Sequence, residues 1–525
     1  MDEATSLGMA GPLGSQPVHN LVPASEAAPD RSSDAPWWDR IWSRWCGLDD
    51  RTRTMVVLGL IMAVGLAVRI TFVVTKQWDL KLNGDAGFYA MSARLVDEGK
   101  GFINPYLYYD QGLVRQAADH PPGLIVFLLG LRKLGILDPN WQRIVLTFVG
   151  TATIPVVFAV GRRIGGRTVG LTAAAIAAIY PNIWINDGML MVETPFILVI
   201  ALSLLFTYRL IERSTIGDVI GLSACLTVAL MLRPEVGIVF PFFVAPFLLS
   251  RRNAGSWWRR IATVAIAAVI PIAAFAPWVL FNLGRFENPV YLSTGYGQTL
   301  ANANCDQTYS GDFLGYYKMT CIHDLVGGVE AYKPYDKLDG SVRDARLGEV
   351  AKQYVQDHAS ELPKVVAARV GRIWGIYRPG QSIVNDGWVE GRAGGSQTTD
   401  FTITREALWS YWVLGVLAVG GLVLMRRRRM AAIYPLLVQP ATATLAAMIN
   451  SGITRYRAGA ELTIVLASAV ALVAIAHWMF DRPALGDPIA ATGGVDDDGD
   501  QEQGAPIPSG PDEAGASGVL TPAGL

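Results

Sequence analysis

The sequence predicts an all-α polytopic membrane protein: a bundle of about ten transmembrane helices, an outer juxtamembrane loop and a small, mainly helical extracytoplasmic appendage. Three observations carry that prediction. Apolar residues make up 51% of the 525-residue chain and charged residues only 17%, less charge than a soluble protein of this length carries. Apolar runs of about fifteen to twenty residues recur, long enough to cross a hydrocarbon layer roughly 30 Å thick. Arginine clusters fall between those runs and orient them. The net charge of −1 is uninformative by itself; its distribution along the chain is what matters.

In chain order, residues 1–35 are rich in Ala, Gly, Ser and Pro with no apolar period, the composition of a disordered cytoplasmic tail. They hold no apolar core followed by a cleavage site, so no signal peptide is read there. Across 36–50, Trp37, Trp38, Trp42 and Trp45 return to about one helical face beside Arg40 and Arg44. That pattern fits a short interfacial amphipathic helix, with an ordinary buried amphipathic helix as the competing reading.

The first apolar run is Met55–Val74. Others follow at Pro121–Leu137, Ile144–Val160, Thr168–Ile185, Leu190–Phe206, Ile216–Leu232, Val236–Ser250, Ile261–Phe281, Ala407–Met425, Ala431–Ile449 and Leu462–Phe480. Arg51/Arg53, Arg162/Arg163/Arg167, Arg209/Arg213, Arg251/Arg252/Arg259/Arg260 and Arg426–Arg429 should lie on the cytoplasmic side. All of them do so if Pro121–Leu137 does not cross. That run is short, opens with two prolines and contains Arg132 and Lys133, so a re-entrant or interfacial helix is expected there. About ten spans remain, with both termini cytoplasmic. Residues 55–281 then form an N-terminal transmembrane catalytic module with its first outer loop at 75–140, and residues 405–480 the C-terminal helices. Val236–Ser250 is the weakest span, interrupted by Pro241 and Pro246. If 216–250 does not form two full spans, about eight remain and the sidedness is unchanged.

Residues 282–404 form the extracytoplasmic segment in this topology. Leu347, Val350, Tyr354, Val355, Leu362, Val366 and Val370 have helical spacing, which predicts a helical appendage. Cys305 and Cys321 share this exported segment, where thiols oxidise, so a disulfide between them is expected. Cys46 and Cys225 read as ordinary packing residues. Residues 481–525 turn acidic and rich in Gly and Pro, through Asp496–Asp500; a solvated, disordered cytoplasmic tail is the better reading there than a metal site.

Ionisable residues beside membrane helices are costly and therefore functional candidates. The outer-facing corners gather Asp85, Asp119, His120, Asp187, Glu193, Arg233, Glu235, Arg455, Arg457 and Glu461. A site that activates a hydroxyl while holding a phosphate needs this mixture, a carboxylate to take the proton and guanidiniums to grip phosphate oxygens. Asp85, between Gly84 and Ala86-Gly87, is the candidate base; a helix N-cap is its competing role. Asp119, His120, Glu193, Arg233 and Glu235 are candidate substrate-binding residues. Arg455, Tyr456 and Arg457 suit a lipid phosphate, against a snorkelling surface pair. There is no Walker loop and no Gly-rich βαβ turn, so the donor is expected from the membrane, as a polyprenyl-linked sugar.

At these residues the chain resembles the GT-C fold membrane glycosyltransferases, in the bacterial branch related to protein O-mannosyltransferases and lipid A aminoarabinose transferases (glycosyltransferase family 39-like). The resemblance rests on N-G-D-A-G-F-Y, H-P-P-G, V-G-R-R-I-G-G-R, Y-P-N-I-W-I-N-D-G-M-L-M-V-E-T-P, L-R-P-E, P-W-V-L-F-N-L-G-R-F and R-Y-R-A-G-A-E, in that order across most of Met55–Phe480. It implies a GT-C-like bundle in which Asp85 matches the first-loop acid. Glu193 matches an acid that shapes the sugar pocket, and Arg455 and Arg457 match a basic motif near the donor phosphate. Many relatives carry two adjacent acids in the first loop. Here Ala86 follows Asp85, so a second acid must come from elsewhere, such as Asp119. No cofactor is firmly implied and no metal ligand is named; a divalent metal has little support, because such an ion usually wants more than one carboxylate.

The function expected is inverting transfer of a sugar from a polyprenyl-phosphate donor to a hydroxyl on a glycan, glycolipid or protein, outside the plasma membrane. The contrasting expectation is a lipid or polysaccharide transporter or flippase of the cell envelope, which would place its binding site near the midplane of repeated halves. A non-catalytic envelope scaffold is the third. No nucleic-acid partner is expected.

Overall fold

The computed structural model describes residues 37–251, 255–389 and 401–480. The tails read at 1–35 and 481–525, and Arg252, lie outside them. Among the described residues there is no β-strand, only an isolated bridge between Ile103 and Gln116.

The chain divides into two compact units, residues 1–60 and 61–525. The described part of the first contains the helix Trp37–Gly47 and the opening turns of Asp50–Phe72. Asp49 starts the second helix by accepting from the Arg51 and Thr52 amides at 3.0 and 3.1 Å, an end-capping role that suits Asp.

In the second unit, helices long and apolar enough to cross a membrane include Pro139–Ile179, Glu193–Glu212, Trp257–Leu283, Thr402–Arg428 and Thr454–Met479. With Asp50–Gln77 these make six; Ile216–Leu232, Pro234–Ser250 and Tyr434–Ile449 are apolar but shorter. The last long helix is the bundle's axis. Leu462, Val465, Leu466, Ala469 and Val470 are all buried, as expected of a helix that is hydrophobic on every side. Thr402–Arg428 crosses it at Gly421, where a Cβ would come within 1.9 Å of the Ala467 carbonyl oxygen. Only glycine fits there. Trp257–Leu283 and Thr402–Arg428 instead expose Val269, Ile272, Leu280, Val413, Val416 and Val419, an apolar outer face that needs lipid as its solvent.

The 41-residue segment Pro139–Ile179 is not one rod. Gly165 and Gly166 leave helical geometry, and Gly166 has φ +83°. A Cβ on Gly170 would lie 2.8 Å from the Phe158 carbonyl oxygen, and one on Gly161 would lie 3.0 Å from the Gly170 Cα. In a straight helix Phe158 and Gly170 would stand about 18 Å apart. The chain therefore doubles back at the two glycines into a close-packed hairpin. Pro234–Ser250 is also irregular, a 3₁₀ turn, then a π turn, then one short α-helix, because Pro241 and Pro246 remove backbone donors.

The loop read at 75–140 contains three short helices, Gly84–Asp97, Pro105–Gln111 and Gly123–Lys133. The last has 11 residues, about 17 Å of rise and too short to span. Its end is tied back to the first by Asp97, which pairs with Arg132 at 3.1 Å and Lys133 at 2.7 Å.

The helical spacing read from Leu347 to Val370 is carried by two helices, Gly340–Asp357 and Leu362–Ile373, separated by a 3₁₀ turn at Ala359–Glu361. Arg369 anchors them: it is 2% exposed and donates to the carbonyls of Ala303 and Met448 and to Asn304 Oδ1. Cys305 and Cys321 are joined by a disulfide across a separation of 16 residues. Replacing both with Ser should destabilise the appendage by about 3 kcal/mol, the loop-closure entropy for that length. Protease susceptibility within 282–389, with and without reductant, reads this out; equal cleavage of oxidised and mutant protein would rule it out.

Candidate active site

The sequence places its candidate acids and guanidiniums on five separate segments, and the fold brings several of them to one point. Asn83 takes the N-cap position of the helix Gly84–Asp97, so the competing N-cap role for Asp85 does not apply. Gly84 has φ +54°, a left-handed conformation that glycine adopts without steric cost. Its carbonyl accepts from the Tyr106 hydroxyl at 2.5 Å. Asp85 follows in the first helical turn, where a negative charge is favoured by the helix dipole.

The Asp85 carboxylate is held from two sides. Arg455 NH2 lies 2.7 Å from one oxygen and His120 Nε2 lies 3.5 Å from the other. All three side chains are partly exposed, at 30%, 22% and 25%. The cluster thus opens to a ligand. The His120 ring is set by aromatic neighbours, with centroids 5.1 Å from Phe88 and 4.8 Å from Tyr89. Burial pushes the Asp85 carboxyl up, but the charges of Arg455 and His120, with their hydrogen bonds, more than offset it and hold the group well below the ordinary carboxylate range. Burial also raises the Tyr89 phenol well above its usual value, helped by the Asp85 charge.

Behind this layer lies a buried one. Arg233 pairs with Glu193 at 2.6 Å and Glu235 at 3.0 Å, and donates to the Arg455 carbonyl at 3.1 Å. Its guanidinium lies 5.1 Å from the Phe196 ring and 5.6 Å from the Tyr456 ring. Arg233 and Glu193 have side chains only 5% and 1% exposed, whereas Glu235 is 22% exposed. Arg233 therefore fixes the 3₁₀ segment Thr454–Ala460, which carries Arg455.

The remaining candidates are placed elsewhere. Arg457 turns to the opposite side of its 3₁₀ segment, bonded to Glu461 at 2.6 Å and to the Ile373 carbonyl at 2.7 Å, with its guanidinium 3.7 Å from the Tyr411 ring centre. Glu461 also accepts from the Tyr180 hydroxyl at 2.7 Å. Asp119 faces the appendage, accepting from Thr294 at 3.3 Å with Arg343 at 3.7 Å. Asp187 pairs with Arg69 at 2.8 Å in full burial and is seated against Gly150, where a Cβ would come within 2.1 Å of its carboxylate. Among the described residues no group of three or more His, Cys, Asp or Glu is placed to hold a metal ion.

Sequence reasoning quoted Phe88 and Tyr89 within a motif without giving either a role. Their signal was faint, because aromatic residues in an apolar chain look like core. Tyr106, which holds the Gly84 carbonyl, gave no signal at all.

Residues 119–281 match the dolichyl-phosphate-mannose-protein mannosyltransferase family. That segment is therefore similar to the GT-C, family 39-like glycosyltransferases that its motifs resemble. The match takes in Asp119, His120, Glu193, Arg233 and Glu235, and stops short of Asp85 and Arg455; it covers under a third of the chain.

Among solved structures, the oligosaccharyltransferase of Archaeoglobus fulgidus tethered to an acceptor peptide aligns with TM-score 0.49 and 13% identity, over 85% of this chain and 52% of that one. The same enzyme with an inhibitory peptide and a dolichol-phosphate aligns with TM-score 0.47 and 13% identity, over 85% and 52%. ArnT from Cupriavidus metallidurans bound to undecaprenyl phosphate aligns with TM-score 0.38 and 15% identity, over 79% and 77%. The chain spans about half the length of the archaeal structures it aligns with. No curated protein sequence matches it.

Proposed function

We propose that this chain is a multi-pass membrane glycosyltransferase that moves a sugar from a polyprenyl-phosphate donor to an acceptor hydroxyl, with inversion, on the extracytoplasmic side of the plasma membrane. The observation that carries the reading is the partly exposed Asp85–Arg455 pair beside His120. A base and a phosphate ligand already touch there, at the mouth of an apolar bundle.

In this reaction the acceptor oxygen forms a bond to the anomeric carbon as the bond from that carbon to the phosphate oxygen breaks on the opposite face. The hydroxyl proton passes to the Asp85 carboxylate, and the departing phosphate gains charge that Arg455 offsets. Phosphate leaves readily, so no acid is required on that side. The pair also couples the two tasks. A donor phosphate competes with Asp85 for the Arg455 guanidinium, and as that cation turns to phosphate the carboxylate becomes a stronger base. Arg457 is committed to Glu461 and Arg233 to Glu193 and Glu235, so Arg455 is the guanidinium assigned to the phosphate. The acceptor is a glycan, glycolipid or protein hydroxyl of the cell envelope.

Purified protein given polyprenyl-phosphate hexose and pentose donors should release polyprenyl phosphate in the presence of an envelope acceptor fraction. Arg455→Gln should raise the donor KM and lower kcat/KM by about 10²-fold or more, the loss typical of a charge-stabilising donor. A protein that moves labelled lipid across vesicles yet transfers no sugar from any such donor is a transporter, and this reading fails.

A further inference from the structure

A second cluster, at the end of the bundle remote from Asp85, is unused by this chemistry. The helix Glu193–Glu212 begins at the candidate site, and Thr207 lies about 21 Å further along it. The chain that leaves Arg233 likewise reaches the remote end at Arg251. Between these two elements, Ile216–Leu232 and Tyr434–Ile449 lies an open groove. Leu204, Phe243, Val244, Phe247 and Val438 are part of its apolar wall. The Ser203 and Thr207 hydroxyls in the lining are turned back onto the Val199 and Ser203 carbonyls of their own helix, at 2.8 and 2.7 Å. The wall therefore offers hydrocarbon and few free polar groups, which suits an acyl chain and not a sugar.

Against the Phe247 wall of this groove stands Arg251. It is only 7% exposed, and both terminal nitrogens of its guanidinium find no hydrogen-bond acceptor among the described residues. The guanidinium carbon is 5.5 Å from the centre of the Phe247 ring, itself 5.6 Å from the Tyr434 ring, and both rings line the cavity. The nearest acid within its electrostatic reach, Asp218, is already held by Arg209 at 2.6 Å and Arg213 at 3.5 Å. Two guanidiniums thus already share that carboxylate, and neither is Arg251. A buried cation without an acceptor is costly, and the atom that would satisfy it here is an anionic oxygen attached to an apolar chain.

We propose that this groove binds an anionic phospholipid, with the headgroup phosphate on Arg251 and one acyl chain in the cavity, in the leaflet that the arginine distribution assigns to the cytoplasm. The site is separate from the proposed donor site, since its charged end points away from Asp85.

Native mass spectrometry of the delipidated full chain in detergent tests it, by titration with phosphatidylglycerol and with phosphatidylcholine of the same acyl chains. The wild type should bind phosphatidylglycerol about tenfold more tightly, the scale of one charge-assisted contact. Arg251→Gln should abolish that preference, Leu204→Trp should weaken both lipids alike, and inorganic phosphate at millimolar concentration should not compete. Equal affinity of the wild type for the two lipids would overturn the proposal. So would a preference that survives Arg251→Gln, displacement by inorganic phosphate, which would mark a simple anion site, or displacement by polyprenyl phosphate, which would mark a donor-tail channel. The wild-type comparison decides even if a variant does not fold.

Discussion

Asp85→Asn is expected to lower turnover by roughly 10²–10⁴-fold, the usual worth of a positioned general base, while leaving expression and fold intact. Asn keeps the shape and a hydrogen-bond acceptor for Arg455 but cannot accept the hydroxyl proton. The electrostatics sharpen the expectation. Because Arg455 and His120 hold the Asp85 carboxyl well below the ordinary range, the group stays ionised at pH values near 4 where a free Asp begins to protonate. Its folded value is depressed, so the stability it contributes is present above the unfolded value. That contribution is lost only as pH falls through the lower folded value. The pH profile of kcat/KM should therefore show no acid limb near 4 from this residue. Near-normal turnover in purified Asp85→Asn would remove Asp85 from the role of base.

The second large effect concerns stability. Arg233→Met should destabilise the protein by about 3–5 kcal/mol, since it removes the guanidinium paired with the buried Glu193. The double variant Arg233→Met/Glu193→Leu should recover much of that loss, because a buried pair replaced by apolar groups of similar volume is often nearly neutral. Both would still impair turnover, as the Arg455 carbonyl loses its donor. Denaturant or thermal unfolding in one detergent gives the cycle. A single variant within 1 kcal/mol of wild type, or a double variant as unstable as the single, would show that the pair is not the clamp described here.

The residues that were legible in the sequence share one property: a charge in an otherwise apolar chain stands out because burying it has a cost. Asp85, His120, Glu193, Arg233 and Arg455 were named on that ground, and the fold brings them together. The same reasoning could not separate Arg455 from Arg457. Two residues apart on a 3₁₀ turn, they point to different sides, and only the positions of Asp85 and Glu461 decide which cation goes where. Asp119 and His120 are adjacent in sequence yet face different partners, a matter of backbone direction that composition does not encode. The run Val236–Ser250 is visibly weak because of Pro241 and Pro246, but the succession of 3₁₀, π and α turns across Pro234–Ser250 depends on packing. Arg251 was counted only as one member of a cytoplasmic cluster, and its solitude appears only when every neighbour's partner is known.

The doubled-back segment at Gly165-Gly166 has a topological consequence. Asp85 and Arg455 touch, so the polypeptide between them must traverse the bilayer an even number of times. Between those residues lie four long apolar helices, beginning with Pro139–Ile179, and three shorter ones. Seven single passes would strand the two partners of one ion pair in opposite leaflets. If all seven cross, the two glycines that turn one hydrophobic stretch into a there-and-back pair supply the crossing that makes the number even, and an insertion or a bulky substitution at that bend would then disturb the sidedness of everything downstream.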